Sequence, residues 1–171
     1  MKKLTILFAA LTLSVGLWAT TQIVSYRYPV YKTDGVVTSG IKEWKTESVK
    51  ATVVEDAPYG PDAVNWNVGW YVVTGTDVKI EFGVICNGDV HLILADGAKL
   101  TVESSYAGIR VSGDDNSLTI YAQSTDPATM GQLIVTNTGA AGIGGESSTT
   151  GNGGDGSNIT INGGTIEATG S

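Results

Sequence analysis

Cysteine, histidine and positive charge are what this sequence has least of. Of 171 residues one is cysteine, one is histidine and ten are Lys or Arg. A lone Cys86 excludes an intrachain disulfide, and its setting in Val84-Ile85-Cys86 reads as a small buried hydrophobe. A nucleophilic cysteine would also need the single His91 as its base, which nothing in the spacing suggests. No Lys or Arg follows Arg110, so the last third of the chain holds no cation to clamp a phosphate. Setting Lys2 and Lys3 aside, eight basic side chains face seventeen acidic ones, a formal charge of −9. That balance opposes binding to nucleic acid or to an anionic membrane. Proline is scarce too, and Pro29, Pro58 and Pro61 all precede Gly69.

The N-terminus supplies the longest apolar run. Lys2 and Lys3 precede Leu4–Trp18, which is broken only by Thr5, Thr12 and Ser14, and small residues follow at Ala19–Thr21. The order of basic, apolar and small segments is that of a secretory signal peptide, and the run is short for a membrane span. We therefore expect residues 1–21 to be removed and the protein to be secreted or displayed at the cell surface. Residues 22–69, aromatic and comparatively rich in lysine, read as an N-terminal lead-in or cap. Residues 70–171, rich in glycine, read as a repeat body.

That body is built from one short motif that keeps returning. It is VHLIL at Val90–Leu94, KLTV at Lys99–Val102, SLTIY at Ser117–Tyr121, NITI at Asn158–Ile161 and TIEA at Thr165–Ala168. Apolar residues alternate within each run, while glycine, aspartate and asparagine fill the gaps, as short strands and tight turns require. Laid out in turns of three strands about 4.8 Å apart, Val90, Leu92, Leu100, Val102, Ile109 and Val111 point inward, as do Leu118, Ile120, Leu133, Val135 and Ile143. The expected fold is all-β, a right-handed parallel β-helix with an N-terminal cap segment. An antiparallel sandwich is the competing arrangement.

The runs GDVHLILADGAKLTV, DNSLTIYAQS, AGIGG and ITINGGTIEATG resemble bacterial surface and secreted proteins with glycine-rich β-helical repeats. These include carbohydrate-binding-domain-containing proteins and belong broadly with the pectin-lyase-like β-helices. The resemblance spans about Gly69 to Ser171. It implies an exported architecture, supplies no binding residues to carry over, and implies that Ser171 falls inside a turn that further repeats would continue.

Candidate chemistry is sparse. Asp114-Asp115 is the one adjacent acidic pair in the body and sits in a turn, whereas glycan cleavage needs two carboxylates in divided roles. His91 is expected outward, alone, in a polar column with Thr119 and Thr160. No catalytic residues, no metal ligands and no cofactor are expected. Calcium is the ion that Gly151–Gly156 or Asp114–Asn116 would take, although a repeated aspartate turn is missing. Carbohydrate binding needs aromatic platforms flanked by polar groups. Trp66 and Trp70 in NWNVGWY, with Asn65 and Asn67 between and before, and Tyr121 on the body are the candidates, with closure of the helix end as the alternative role for the tryptophans. Lys79, Thr101, Ile134 and Glu167 would form a flat outward column. The expected function is a non-catalytic exported surface module that binds carbohydrate or mediates adhesion, with a glycan or cell-surface polysaccharide as partner. A purely structural stalk is the second reading, and a polysaccharide lyase or glycoside hydrolase the third.

Overall fold

Twelve strands and no helix make up the described part of the chain. The computed structural model describes residues 19–33, 38–57, 62–105, 107–145, 154–156 and 158–171. The apolar run of the expected signal peptide and Gly151–Gly153 of the candidate calcium turn lie outside these residues. Strand β1 is Thr21–Thr33, β2 Thr38–Val53, β3 Val64–Val73, β4 Val78–Ile80, β5 Val84–Leu94 and β6 Lys99–Ser104. The remainder are β7 Ile109–Arg110, β8 Ser117–Ala122, β9 Gln132–Asn137, β10 Ile143–Gly144, β11 Ile159–Ile161 and β12 Thr165–Thr169.

The recurring motifs stack in parallel register. Sheet B runs β4-β6-β9-β12, and its ladder sets Lys79 beside Thr101, Thr101 beside Ile134 and Ile134 beside Glu167. In the larger sheet A, β3, β5, β8 and β11 form a second parallel ladder that brings His91, Thr119 and Thr160 into one row. Positions facing the space between the sheets are buried in strict alternation. Val78, Ile80, Leu100, Val102, Leu133 and Val135 do this from sheet B, and Leu92, Leu118 and Ile120 from sheet A. Each such aliphatic contributes roughly 1.5–3 kcal/mol on burial.

The right-handed parallel β-helix with an N-terminal cap segment is nevertheless not the fold. Sheet A closes on itself, because β5 pairs with both β3 and β8 while β1 and β2 bridge the remaining gap. The result is a closed five-stranded barrel of β1, β2, β3, β5 and β8 with mixed strand directions. The β1–β2 pair is antiparallel from Thr21↔Thr52 onward, and β1 meets β8 antiparallel at Arg27↔Ala122. Residues expected to form a cap are therefore strands of the barrel wall, and β3 runs straight through Gly69 and Trp70.

Burial explains the closure. Val72-Val73, Leu92-Ile93-Leu94 and Ile120-Tyr121-Ala122 are consecutive, and all are buried. A sheet with one wet face buries alternate residues; buried neighbours mean that both faces are covered. The second face is covered by Val24, Tyr26 and Ala51 of the hairpin, which join the same apolar core. One turn shows how tightly the layers are drawn together. Gly83 has φ 79°, and a Cβ there would lie 2.4 Å from the carbonyl oxygen of Ala107, so no other residue fits without moving the backbone.

Ile93 reports on the second face directly, since a solvated face would tolerate its loss. Truncation in Ile93→Ala is expected to cost about 2–5 kcal/mol of unfolding free energy, measured by urea denaturation. A cost under about 0.5 kcal/mol, as for an exposed position, would mean that the hairpin leaves that face open.

Candidate functional site

The three aromatic candidates do not meet in one place. Trp70 and Tyr121 lie inside the barrel, whereas Trp66 lies at the end of the stacked sheets, stacked on Tyr71 at 5.2 Å between ring centroids. An irregularity in β3 decides this split. Strict alternation would put Trp66 and Trp70, four residues apart, on one face. The register shifts between Asn67 and Gly69, so Trp66 shares a face with Tyr71 and Trp70 points the other way.

Inside the barrel the rings form one cluster. Trp70 and His91 are in-register neighbours on β3 and β5, stacked at 4.2 Å with planes 14° apart. Tyr121 stacks on Trp70 at 5.3 Å, and Tyr26 from the hairpin closes over both, at 4.7 Å from Trp70 and 4.8 Å from Tyr121. Tyr121 was expected to face outward on the body; it does point away from the inter-sheet core, but β1 covers it and leaves 9% of it exposed. His91 is likewise not alone. Its Nε2 lies 3.1 Å from Asp89 Oδ2 and its Nδ1 3.3 Å from the Tyr121 hydroxyl. With its proton on Nε2, His91 donates to Asp89 and accepts from Tyr121, which satisfies both contacts. At the margin Glu47 accepts hydrogen bonds from Tyr28, at 2.7 Å, and from Tyr26, at 3.1 Å.

These groups hold one another in place within the barrel. The Ser117 hydroxyl, followed by His91, holds the Asp89 carboxyl below its usual range, and the Tyr28 and Tyr26 hydroxyls do the same for Glu47. A general acid needs the opposite shift. The relay from Asp89 through His91 ends on a phenol that Tyr26 covers. Burial pushes the Cys86 thiol up to about 12, which leaves it protonated and inert. Asn116, offered as part of an oxygen-rich turn, uses its side-chain carbonyl to accept from the Gly88 amide and its amide to donate to the Ser112 carbonyl. Among the described residues, no group of three or more His, Cys, Asp or Glu could hold a metal ion.

Two adjoining clefts lie elsewhere, at the end where β2 and β3 meet the first strand of sheet B. One cleft of about 390 Å³ has the Trp66–Tyr71 pair, Val64 and Ile80 as apolar walls, with Thr52, Glu55 and Asn65 on its margin. A second, of about 560 Å³, shares Val53, Val54 and Glu55 with it and continues past Asp56, Thr74, Thr76 and Asp77. Trp66 is itself 3% exposed, so Tyr71 offers the more accessible ring. The Tyr71 hydroxyl donates to the Asn67 carbonyl at 3.1 Å, and Glu55 accepts from the Thr20 hydroxyl at 2.9 Å. Asn87 donates to the Asn65 side chain at 3.1 Å, which fixes that amide's orientation at the rim. Sequence reasoning reached Trp66 and Asn65 but missed Glu55, Asp56 and Asp77. Nothing local marks them, because the Thr52↔Tyr71 pairing of β2 with β3 is what brings them to one edge.

The barrel cluster has a titration signature. Burial, then the hydrogen bond to Glu47, pushes the Tyr26 hydroxyl from 10.0 up to about 12. A raised phenol favours the folded state fully below the unfolded value, and that contribution is lost as pH rises through the folded one. We expect stability to decline between pH 10 and about 12 as this phenol titrates, and Tyr26→Phe to remove the latest transition in ultraviolet phenolate titration. Tyrosines that all titrate together would contradict the cluster. Comparison with known proteins finds no matching family model, no similar curated protein and no similar solved structure.

Proposed function

We propose that this chain is a non-catalytic surface module that binds a glycan in the two adjoining end clefts. The observation that carries the reading is their shared wall at Val53–Glu55, with a stacked aromatic pair on one side and hydroxyls and carboxylates on the other. A sugar ring presents an apolar face and a rim of hydroxyls. The Tyr71 ring, backed by the buried Trp66, suits the first, and Thr52, Asn65, Glu55, Thr74 and Thr76 suit the second. Two clefts in line suit an extended chain better than a single residue. Glu55 and Asp56 set the charge of the walls, Asp77 being paired with Lys79 at 3.5 Å, and with an overall −9 they favour a neutral or amino-substituted glycan over an acidic one. Export through the N-terminal leader and display outside the cell belong to the same proposal, as does the motif resemblance to carbohydrate-binding surface proteins. A lyase or hydrolase finds no support in the lowered carboxyls of Asp89 and Glu47.

The test is a glycan array with the purified protein and with variants at exposed rim positions, Asn65→Ala and Glu55→Gln. Binding to neutral or amino-substituted glycans is expected. Each variant should weaken it about five-fold, the worth of one hydrogen bond of ~1 kcal/mol, with circular dichroism unchanged. Silence from the folded protein would overturn the reading and leave a structural element of a larger surface assembly.

A further inference from the structure

The end clefts open onto one corner of the stacked sheets, and that corner repeats along the stack. The chain passes it four times, at residues 53–57, 74–79, 97–99 and 128–132. Backbone hydrogen bonds tie each pass to the next. Ala57 donates to the Lys79 carbonyl at 2.9 Å, Lys99 to the Gly75 carbonyl at 2.9 Å and Gln132 to the Ala98 carbonyl at 2.8 Å. The pairings of Ala57 with Ile80, Val78 with Leu100 and Leu100 with Leu133 keep the same order. Successive passes in a sheet lie ~4.8 Å apart, so the four span about 14 Å along the stacking axis.

A third cleft, of about 210 Å³, lies on the later passes and is bordered by Thr76, Lys99, Thr129, Met130 and Gln132. Thr76 also borders the larger end cleft, so the third adjoins it, just as Val53–Glu55 join the first two. Its far wall is held by a tight turn. The Asp126 carbonyl accepts from the Thr129 and Met130 amides, at 3.0 and 2.9 Å, and its carboxylate from the Ala128 amide at 2.9 Å. Lys99 and Gln132 are in-register neighbours; Leu100 and Leu133 beside them are buried, so alternation turns both polar side chains outward. The Thr129 hydroxyl is engaged with that of Ser124 at 3.0 Å. Among the described residues, the side chains of Thr76, Lys99 and Gln132 make no hydrogen bond or ion pair.

We propose that the glycan site continues into this third cleft, and that its ligand is a linear polysaccharide lying along the stacking axis. The inference rests on the glycan reading of the end clefts and adds the length and direction of the bound chain. Three clefts joined in line by shared walls are all filled only by an extended polymer; a single sugar or a short branch fills one. The free side chains of the third cleft suit hydroxyl groups. A threonine hydroxyl and a glutamine amide both donate and accept, and an ammonium donates. The walls also differ along the line. Glu55 and Asp56 lie at one end, and Lys99 lies in the third cleft toward the other. Amino groups and hydroxyl donors are therefore favoured in the end clefts, and oxygen acceptors beside Lys99. A turn already fixed by Asp126 needs little ordering when the polymer binds.

Arrays printed with length ladders test this on the full chain. The probes are β-linked oligomers of glucose, mannose, glucosamine and N-acetylglucosamine, from two to six units. In the ladder that binds, affinity is expected to rise about ten-fold or more from two units to five and then to level off. Gln132→Ala and Lys99→Gln should each weaken binding of the five-unit oligomer about five-fold, the worth of one hydrogen bond. The ratio of long-chain to short-chain affinity should fall with it, at unchanged circular dichroism. Asn65→Ala, in the end cleft, should weaken every length alike. Equal affinity for two and five units, or a length dependence that both corner variants leave intact, would overturn the extension while the end clefts still bind glycan. Silence across all four ladders from the folded protein would overturn the extension together with the reading it rests on.

Discussion

The structure depends on covering both faces of one sheet. Strands β3, β5 and β8 bury Val73, Leu92 and Ile120 against sheet B, and Val72, Ile93 and Tyr121 on the opposite side. A parallel stack on its own would leave the second set in water, and each exposed side chain would forgo roughly 1.5–3 kcal/mol. The β1–β2 hairpin removes that cost by wrapping over the outer face and closing the barrel. Its antiparallel pairing is the geometry that lets one short connection return the chain along itself. Everything else in the N-terminal half follows from this wrap.

Aromatic residues are what the wrap encloses. Tyr26 enters from the hairpin and packs on Trp70 and Tyr121, while His91 stacks on Trp70 and is held from both sides by Asp89 and Tyr121. Polar atoms in such a place must be satisfied: the Tyr26 and Tyr28 hydroxyls share Glu47, and the imidazole bridges Asp89 and the Tyr121 hydroxyl. The cluster is therefore an ordered interior, and the clefts of the proposed glycan site lie at the end of the molecule. There β2 meets β3 over only two residues, Thr52 and Val53, and the wall dips into adjoining clefts. The same hairpin that forms the barrel wall also borders the proposed glycan site.

Much of the local structure was legible in the chain. The rows His91–Thr119–Thr160 and Lys79–Thr101–Ile134–Glu167 are in-register neighbours, because period-2 alternation and turn residues of fixed length specify register wherever one face is buried. The overall closure was not read, although a signal was present: Leu92-Ile93-Leu94 and Ile120-Tyr121-Ala122 break the alternation with consecutive apolar residues. Counting only alternate positions as core assigned Tyr121 to solvent. For the candidate site, Trp66 and Asn65 were identifiable from composition around NWNVGWY, whereas Glu55 and Asp77 carry no local mark.

The sequence alone determined the strand periodicity, the placement of glycine turns, the acidity and the absence of a disulfide. These are properties of neighbouring residues or of composition. Only the tertiary structure decided that β1 and β2 close a barrel, and that Trp70 and Tyr121 share an interior while Trp66 borders an end cleft. Those outcomes rest on pairings such as Thr52↔Tyr71 and Arg27↔Ala122, between residues far apart in the chain. Backbone hydrogen bonds are nearly indifferent to side-chain identity, so a strand pattern records that a residue pairs but not with which distant strand.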